Sequence, residues 1–382
     1  MNFLQRTGIS RSEWRLDPEF TFLNHGSYGA TPRVVTDEQD RWRERMERHP
    51  TGFMTYELPK AVREAAALLA AFVGCNAPDL AFVENATVGC NAVLNSFELS
   101  ADDEILVTDL GYAAVRNAAD YVARKTGARI VEAKVRFPTT GSKEVIDAVA
   151  SQLGPRTRIV ILDHITSPTA VIFPIRELAS LCHNAGACVL IDGAHGPGML
   201  SIDISSMGVD WYVGNCHKWL MAPKGSAFLW TDPKWQRQIH PLAISHGYGL
   251  GYTAEFDWIG TRDPSAWLSV QAAINFHMRM GGPSLRERNI ELARASATQL
   301  ALLWKTERGA PDELTGSMAT ISLPLSGPAT IERALELRAW LFETHRIELA
   351  VTPFSGSLWA RISAHAYNEP TDYQRLSEVF RT

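Results

Sequence analysis

The chain has 382 residues, enough for one large domain and a smaller one, and its 46% apolar and 21% charged residues are ordinary for a globular protein. A net charge of −5 without a basic run argues against a nucleic-acid partner. The first residues lack a signal-peptide pattern, and no window of about 18 apolar residues suggests a membrane span. The five cysteines are odd in number and lack the spacing of a metal site. We therefore expect a cytoplasmic protein without a metal or a membrane partner.

Short apolar runs alternate with helix-period segments from residue 79 onward. Predicted strands are Asp103–Leu110, Ala128–Val135, Thr157–Ile165, Ala187–His195 and Gly225–Trp230. Predicted helices between them are Ala113–Thr126, Lys143–Leu153 and Ile175–Gly186. Strands buried on both faces with helices between them indicate an α/β fold with a mostly parallel, doubly wound sheet.

The pattern changes after Arg262, where long helices are predicted over Pro264–Met280 and Pro283–Glu307, followed by a mixed helix and strand tail. We therefore expect three parts: an N-terminal arm (1–20), a large domain (21–265) and a smaller C-terminal α+β domain (266–382).

Two candidate catalytic groups follow neighbouring strands. Asp192 ends the apolar run of VLIDGAH, and Lys218 follows the next run in WYVGNCHKWL. Ligands of open α/β sheets bind beyond the carboxyl ends of the strands. The two side chains could form an ordinary ion pair, but the apolar context of Lys218 favours an amine of lowered pKa that acts as a nucleophile.

The segment Glu84–Thr87 ends a strand and opens a helix, with Gly89 in its first turn. Free backbone N–H groups at such a helix start bind phosphate, although a simple helix-capping role explains the same residues. A phosphate-binding turn, an acid and a lysine at one sheet edge are what pyridoxal 5′-phosphate (PLP) requires.

Long motifs carry a family resemblance. DGAHGPG (Asp192–Gly198) and GNCHKWLMAPKGSAFLW (Gly214–Trp230) resemble the class V aminotransferase family of fold-type I PLP enzymes, most closely its isopenicillin N epimerase-like branch. The resemblance extends from FLNHGSYGATP (Phe22–Pro32) to ARISAHAYN (Ala360–Asn368). It implies a fold-type I α/β architecture.

The resemblance also implies residue roles. Lys218 would hold PLP as a Schiff base and carry the α-proton, Asp192 would pair with the pyridine nitrogen, and His195 would contact the phenolic oxygen. The remaining implied cofactor contacts are Ala86, Thr87 and His217 at the phosphate, Tyr112 stacked on the ring, and Thr166 and Ser167 near the phenolic side.

Substrate and subunit contacts are implied in the same way. Arg361 would bind the α-carboxylate of an amino-acid substrate, and the segment Asn24, His25, Gly26 and Ser27 would line the substrate site. The loop Phe256–Ala266 would cross the interface of a homodimer, so that Thr261 reaches the phosphate in the partner's site.

Several outcomes remain open at this point. The nearest branch implies an amino-acid epimerase, which needs a second acid such as Tyr112, His25 or a water. The alternative reactions are those of a C–S or β-elimination lyase and of an aminotransferase. The non-enzyme alternative is a binding protein that has the PLP-enzyme fold but has lost catalytic activity. Val351–Ser363 lacks the cysteine of the cysteine desulfurase branch, which argues against persulfide chemistry.

Lys224, in a Pro-Lys-Gly turn, is the alternative candidate for the PLP-binding lysine and is predicted to lie at the surface. A plain nucleotide-binding protein is disfavoured because no G-x-G-x-x-G follows an early strand.

Overall fold

A computed structural model describes residues 10–380. Its strands are β1 (Thr21–Phe22), β2 (Leu80–Val83), β3 (Glu104–Thr108), β4 (Arg129–Ala133), β5 (Thr157–Asp163), β6 (Cys188–Asp192), β7 (Trp211–Asn215), β8 (Ala227–Thr231), β9 (Met318–Ser322), β10 (Ile347–Glu348), β11 (Ala350–Phe354) and β12 (Ser357–Ser363). Its α-helices are α1 (His25–Tyr28), α2 (Arg33–Arg48), α3 (Pro50–Gly52), α4 (Leu58–Val73), α5 (Ala86–Ser96), α6 (Ala113–Thr126), α7 (Ser142–Ala150), α8 (Ile175–Asn184), α9 (Tyr252–Asp257), α10 (Ser265–Leu268), α11 (Val270–Arg279), α12 (Pro283–Trp304), α13 (Ile331–His345) and α14 (Pro370–Val379).

The large sheet has seven strands in the order β2-β8-β7-β6-β5-β3-β4. Neighbouring strands run parallel from β7 to β4, whereas β8 is antiparallel to both β7 and β2. The β7–β8 connection spans only residues 216–226, which is too short for the helical crossover that a parallel pair requires. Strands β5 and β6 are almost entirely buried, because helices cover both faces of the sheet. The predicted mostly parallel α/β fold is confirmed.

The predicted helix Pro264–Met280 is instead two helices, α10 and α11, joined at Ser269. The Ser269 hydroxyl donates a hydrogen bond to the Ser265 carbonyl four residues earlier, at 2.7 Å, an interaction that bends or interrupts helices. The helical spacing of apolar residues in the sequence continues across this point and therefore could not predict the break.

A second, antiparallel sheet in the order β11-β12-β9 packs against α12 and α13. Strand β1 pairs in parallel with β10, and Leu23 belongs to the apolar core of this C-terminal region. The division into an arm (1–20), a large domain (21–265) and a small domain (266–382) remains our proposal, with the addition that the first described strand packs with C-terminal elements. Between residues 10 and 380, no helix combines the length and apolar character needed to span a bilayer.

Candidate active site

The polar side chains of the site come from the carboxyl ends of three adjacent strands. Asp163 and Asp192 are the last residues of β5 and β6 and are direct register partners, Asn215 is the last residue of β7, and Lys218 follows it. Parallel strands place these ends at one edge of the sheet.

These residues line one cavity of about 430 Å³, which we call the inner pocket. Its lining residues are Ser27, Tyr28, Asn85, Ala86, Thr87, Val88, Tyr112, Asp163, Ile165, Ser167, Asp192, Ala194, His195, Asn215, His217 and Lys218. A second cavity of about 330 Å³, the outer pocket, shares Ser27, Tyr28, Tyr112, Ser167 and Lys218 with it and adds Gly111, Ala113, Pro168, Arg338, Ala350, Val351, Thr352 and Arg361. Both volumes lie near the lower end of the range for small-molecule sites.

The Lys218 amine is buried beside a histidine, and its pKa is lowered. Its Nζ lies 3.2 Å from Nε2 of His195, whose Nδ1 accepts a hydrogen bond from the indole N–H of Trp219 at 3.3 Å. A neutral imidazole that accepts at Nδ1 carries its proton on Nε2, so this contact is a hydrogen bond to the uncharged form of the Lys218 amine. Burial lowers the pKa of Lys218 to about 8, and burial together with the charge of Lys218 holds the pKa of His195 well below its usual range.

The turn that carries Lys218 is rigidly held. Met221 has a positive φ of 63°, uncommon for a residue with a side chain, and its N–H donates to the Lys218 carbonyl. Gly29, with a φ of 71°, packs so closely that a Cβ there would lie 2.1 Å from the His217 carbonyl oxygen. Only glycine permits both this conformation and this approach, so the N-terminal segment fixes the position of the lysine turn.

Two buried carboxylic acids lie side by side beneath the lysine. The Asp192 side chain accepts a hydrogen bond from the Ala194 N–H at 3.0 Å, and Asp163 is only 4% exposed. Burial raises the pKa of Asp163 well above its usual range, and the neighbouring charge of Asp192 adds to the effect. Burial also raises the pKa of Asp192, although the Ala194 N–H and the charge of Lys218 oppose the rise. Burial and the Asp192 charge thus oppose ionisation of Asp163, whereas the Ala194 N–H and Lys218 favour the charged form of Asp192.

The start of α5 lines the inner pocket and is the part of the pocket that could hold an anion. The Asn85 side chain caps the helix by accepting from the Val88 N–H at 2.9 Å, and the Ala86 N–H donates to Oδ1 of Asn215 at 2.9 Å. Thr87 lines the pocket at the positive end of the helix dipole. His217 also lines it, with Nδ1 donating to the Ser226 carbonyl at 3.0 Å, so that Nε2 is left for a ligand.

Arg361 in the outer pocket is a buried cation held by neutral groups. Its guanidinium donates to the carbonyl oxygen of Ser167, to Oγ of Ser27 at 2.9 Å and to Oδ1 of Asn24 at 3.2 Å. Its Nε has no hydrogen-bond partner within residues 10–380, and burial lowers the pKa of Arg361 to about 10. A buried charge without a counter-ion is costly, so an anionic ligand would stabilise this arrangement.

Some predicted site residues do not line either pocket. His25 uses both ring nitrogens elsewhere, contacting Tyr367 Oη at 2.6 Å and the Lys218 carbonyl at 3.1 Å. This corrects the expectation that His25 is an acid facing the substrate. Gly26 packs behind the pocket wall against Met318, and its N–H donates to Ser363 Oγ. Neither residue is available for direct substrate contact.

Of the other predicted site residues, Asn24 contacts the site only through a neighbour, and Thr166 and Thr261 lie outside both pockets. Asn24 contacts Arg361 and so acts through it, whereas Ser27 lines both pockets. The Thr166 hydroxyl bonds to Thr169 Oγ1 at 2.6 Å and is fully buried away from the cavity, which corrects its expected contact with the cofactor. Thr261 is exposed outside both pockets, so its contact with a partner's site remains a prediction.

The positions of the lysines and cysteines relative to the two pockets can now be compared with the sequence predictions. Lys224 lies at the surface, as predicted, and donates to the Gly29 carbonyl at 3.1 Å. Asp192 and Lys218 line the same pocket, and no side-chain ion pair joins them in the described chain. None of the five cysteines, all of which lie within residues 10–380, lines the inner or outer pocket.

Sequence reasoning missed several pocket residues, and three of them carry polar or charged side chains that matter for the site: Asp163, Asn215 and Arg338. Asp163 stands at the end of a correctly predicted strand, so the rule that found Asp192 would also have found it. Asn215 likewise ends β7. Arg338 lies within α13, far along the chain, and no local signal connects it to the site.

Comparisons with known proteins show the family of the chain. The family model described as aminotransferase class-V matches residues 29–376. The chain is 33% identical over 392 residues to isopenicillin N epimerase from Amycolatopsis lactamdurans, with 97% of each chain covered. It is 30% identical over 407 residues to the probable chloroplastic L-cysteine desulfhydrase of Arabidopsis thaliana, covering 99% of this chain and 86% of that relative.

Solved structures share the fold. A mutant of C-DES that holds glycine linked covalently to its PLP cofactor has a TM-score of 0.82 and 21% identity, covering 95% of this chain and 97% of that one. The chain belongs to the class V aminotransferase family, which consists of PLP-dependent enzymes of the fold-type I architecture. The resemblance carried by the DGAHGPG and HKW motifs is thus confirmed.

Proposed function

We propose that the inner pocket binds PLP through Lys218, with the phosphate at Thr87 and His217 and the pyridine nitrogen at Asp192. The donor set fits the group: a buried amine of lowered pKa, an ionising carboxylate and a helix start lie around one cavity. His195 lies beside the lysine, Tyr112 is half-exposed at the opening, and Ala86 and Ser167 complete the lining.

PLP supplies an aldehyde that condenses with amines and a ring that withdraws electrons from the substrate α-carbon. Asp192 favours the protonated ring nitrogen, which strengthens that withdrawal. The Lys218 amine, once released, is positioned to take the α-proton, and Arg361 holds the α-carboxylate so that the α-carbon faces the amine.

The outcome that we propose is epimerisation of an amino acid at its α-carbon. The observation that carries this proposal is that Lys218 and Tyr112 both line the inner and the outer pocket. Burial lowers the pKa of Lys218 to about 8 and raises the pKa of Tyr112. An amine that accepts a proton and a phenol that retains one are the two groups needed to remove a proton and return one.

A second candidate is elimination at the β-carbon, as in a C–S lyase. It shares removal of the α-proton by Lys218 and is favoured by the 30% identity to a probable L-cysteine desulfhydrase along 99% of the chain. Persulfide transfer through a pocket cysteine is not part of either proposal.

We further propose a homodimer in which Thr261 reaches the phosphate bound by the partner. The residues before this loop expose several large apolar side chains, namely Leu242, Ile244, Tyr248 and Leu250. A surface of this kind is typical of an interface between subunits. Sedimentation of the purified protein, with Leu250→Glu as the disrupting variant, tests this proposal.

The function is tested by following the α-proton. The PLP-loaded protein is incubated in D₂O with single L-amino acids, and deuterium at the α-carbon is followed by NMR. D-isomer in the products supports the epimerase, whereas sulfide and pyruvate from cysteine support the lyase. Lys218→Ala should abolish exchange, and Lys224→Ala is the matched control because Lys224 lies at the surface. Exchange that persists in Lys218→Ala would refute the proposed role of this lysine.

A further inference from the structure

Arg338 is a cation at the substrate side of the site that the proposed reaction does not use. It lies in α13, which packs against β11, and its side chain lines the outer pocket together with Arg361. The side chain is exposed, in contrast to Arg361, which is 4% exposed. The two arginines therefore mark the solvent side and the buried side of the same cavity.

The surroundings of Arg338 offer it no acidic partner. Its neighbours three and four positions away on the helix are Ala334, Leu335, Leu341 and Phe342, so no i,i+3 or i,i+4 ion pair can form. No hydrogen bond or ion pair of its guanidinium is found in the described part of the chain. Arg333 on the same helix differs, because it donates to the carbonyl oxygens of Ser326 and Pro328.

The outer pocket as a whole is positively charged. It contains Arg338 and Arg361, and its lining within residues 10–380 includes neither Asp nor Glu. The charge of Arg338 acts on Arg361, adding to burial in lowering the pKa of Arg361. Two cations that share a cavity without a counter-ion repel each other, and an anion at each of them relieves that repulsion.

We infer that Arg338 forms a second anion subsite, so that the substrate is an amino acid whose side chain ends in a carboxylate. The inference rests on the proposed function, in which Arg361 binds the α-carboxylate. A side chain that extends from the α-carbon toward solvent would bring its terminal carboxylate to Arg338. Cysteine has no second carboxylate, so this subsite favours a longer, doubly anionic substrate.

The subsite can be tested by equilibrium binding, without any reaction. Isothermal titration calorimetry on the PLP-loaded protein compares α,ω-dicarboxylates, from succinate to pimelate, with monocarboxylates of equal length. Neither kind of acid carries an amine, so each reports only on anion binding. We expect at least one diacid to bind about threefold to fivefold more tightly than its monoacid, which is the upper range for one solvent-exposed charge pair.

Variants assign that preference to one residue. Arg338→Gln should lower diacid affinity to that of the monoacid, and Arg338→Lys should keep part of the preference. Arg237→Gln, an exposed arginine outside both pockets, is the control of equal charge change and should behave like the wild type. A preference that is absent from the wild type, or that survives in Arg338→Gln, would overturn the subsite.

The same measurements separate this inference from the proposed function. If diacids and monoacids bind equally well and Arg361→Gln removes both, the Arg361 site stands and the Arg338 subsite fails. If neither kind of acid binds, the carboxylate site that the function requires fails, and the subsite fails with it. In D₂O exchange, Arg338→Gln should raise KM about threefold to fivefold for 2-aminoadipate and leave the KM for norleucine unchanged.

Discussion

The inner and outer pockets differ in how their charges are balanced. In the inner pocket, the acids Asp163 and Asp192 lie with Lys218 and with two histidines whose pKa values burial lowers, so acidic and basic groups occur together. In the outer pocket, Arg338 and Arg361 have no acidic partner among the described lining residues. In the proposed function the inner pocket carries both acidic and basic groups for the reaction, whereas the outer pocket offers only cations to an anionic substrate.

The two pockets also differ in the part of the chain that builds them. The acids and the lysine of the inner pocket follow consecutive strands, β5 to β7, whose order and direction bring their ends together. Arg361 comes from β12 and is held by Asn24 and Ser27 near the start of the described chain. The topology of one sheet therefore positions the residues of the proposed chemistry, and contacts between distant segments position those of the proposed substrate recognition.

The largest effect is expected from removing the inner carboxylate. Asp192→Ala should reduce α-proton exchange by about two to three orders of magnitude, because the ring nitrogen would lose the anion that favours its protonated form. Exchange rates by NMR at saturating PLP measure this change. A loss of less than about tenfold would mean that Asp192 does not serve the ring nitrogen.

A smaller loss, confined to substrate binding, is expected in the outer pocket. Arg361→Gln should raise KM by about 10- to 100-fold with a modest change in kcat, because it removes a charge-assisted carboxylate contact. The amount of PLP bound per protomer should stay as in the wild type, since Arg361 does not line the inner pocket. A loss of bound PLP would contradict the assignment of Arg361 to the substrate alone.

Acid should destabilise the wall of the inner pocket. Burial lowers the pKa of His25 to about 3, and the pKa values of His164 and His217 to about 4. Because an unfolded histidine titrates near 6.5, the unfolded chain gains protons that the folded chain does not, as the pH falls from about 6.5 to 4. The free energy of unfolding should fall over this range, by up to about 1.4 kcal/mol per pH unit for each such histidine.

Urea denaturation of the apoprotein at pH 7, 6 and 5 measures this loss. Arg361→Gln, which leaves these histidines in place, should show the same pH slope as the wild type. A free energy of unfolding that does not change between pH 7 and pH 5 would contradict the assignment of neutral buried histidines.

The smallest effect is expected from Asp163→Asn. A protonated Asp163 and an asparagine are both neutral and similar in shape, so exchange should stay within about tenfold of the wild type. The raised pKa of Asp163 means that its stabilising contribution is present at low pH and is lost as the pH rises through that pKa. As the pH rises above about 4, the ordinary pKa of an unfolded aspartate, the free energy of unfolding of the variant should therefore increase relative to that of the wild type, as measured by urea denaturation. A loss of exchange as large as that of Asp192→Ala would show that Asp163 is ionised.

The sequence allowed the sheet, Asp192 and Lys218 to be predicted because each signal is local. An apolar strand followed by a polar residue marks a strand end, and β6 and β7 follow this pattern. The orientations of His25 and Thr166 could not be predicted from the sequence. The His25 ring is held by Tyr367 and by the Lys218 carbonyl, and the Thr166 hydroxyl is held by Thr169, so neither side chain faces a pocket. Arg338 reaches the site only through the packing of α13 on β11, a contact between distant parts of the chain.

The central claim, that Lys218 is the amine that binds PLP, is tested by borohydride trapping followed by peptide mass spectrometry. The PLP-loaded protein is reduced and digested, and the peptide that gains the mass of the reduced pyridoxyl phosphate is sequenced. The account predicts one modified peptide, labelled at Lys218, and no label in the Lys218→Ala variant. A label at Lys224, or an unlabelled wild-type protein, would contradict it.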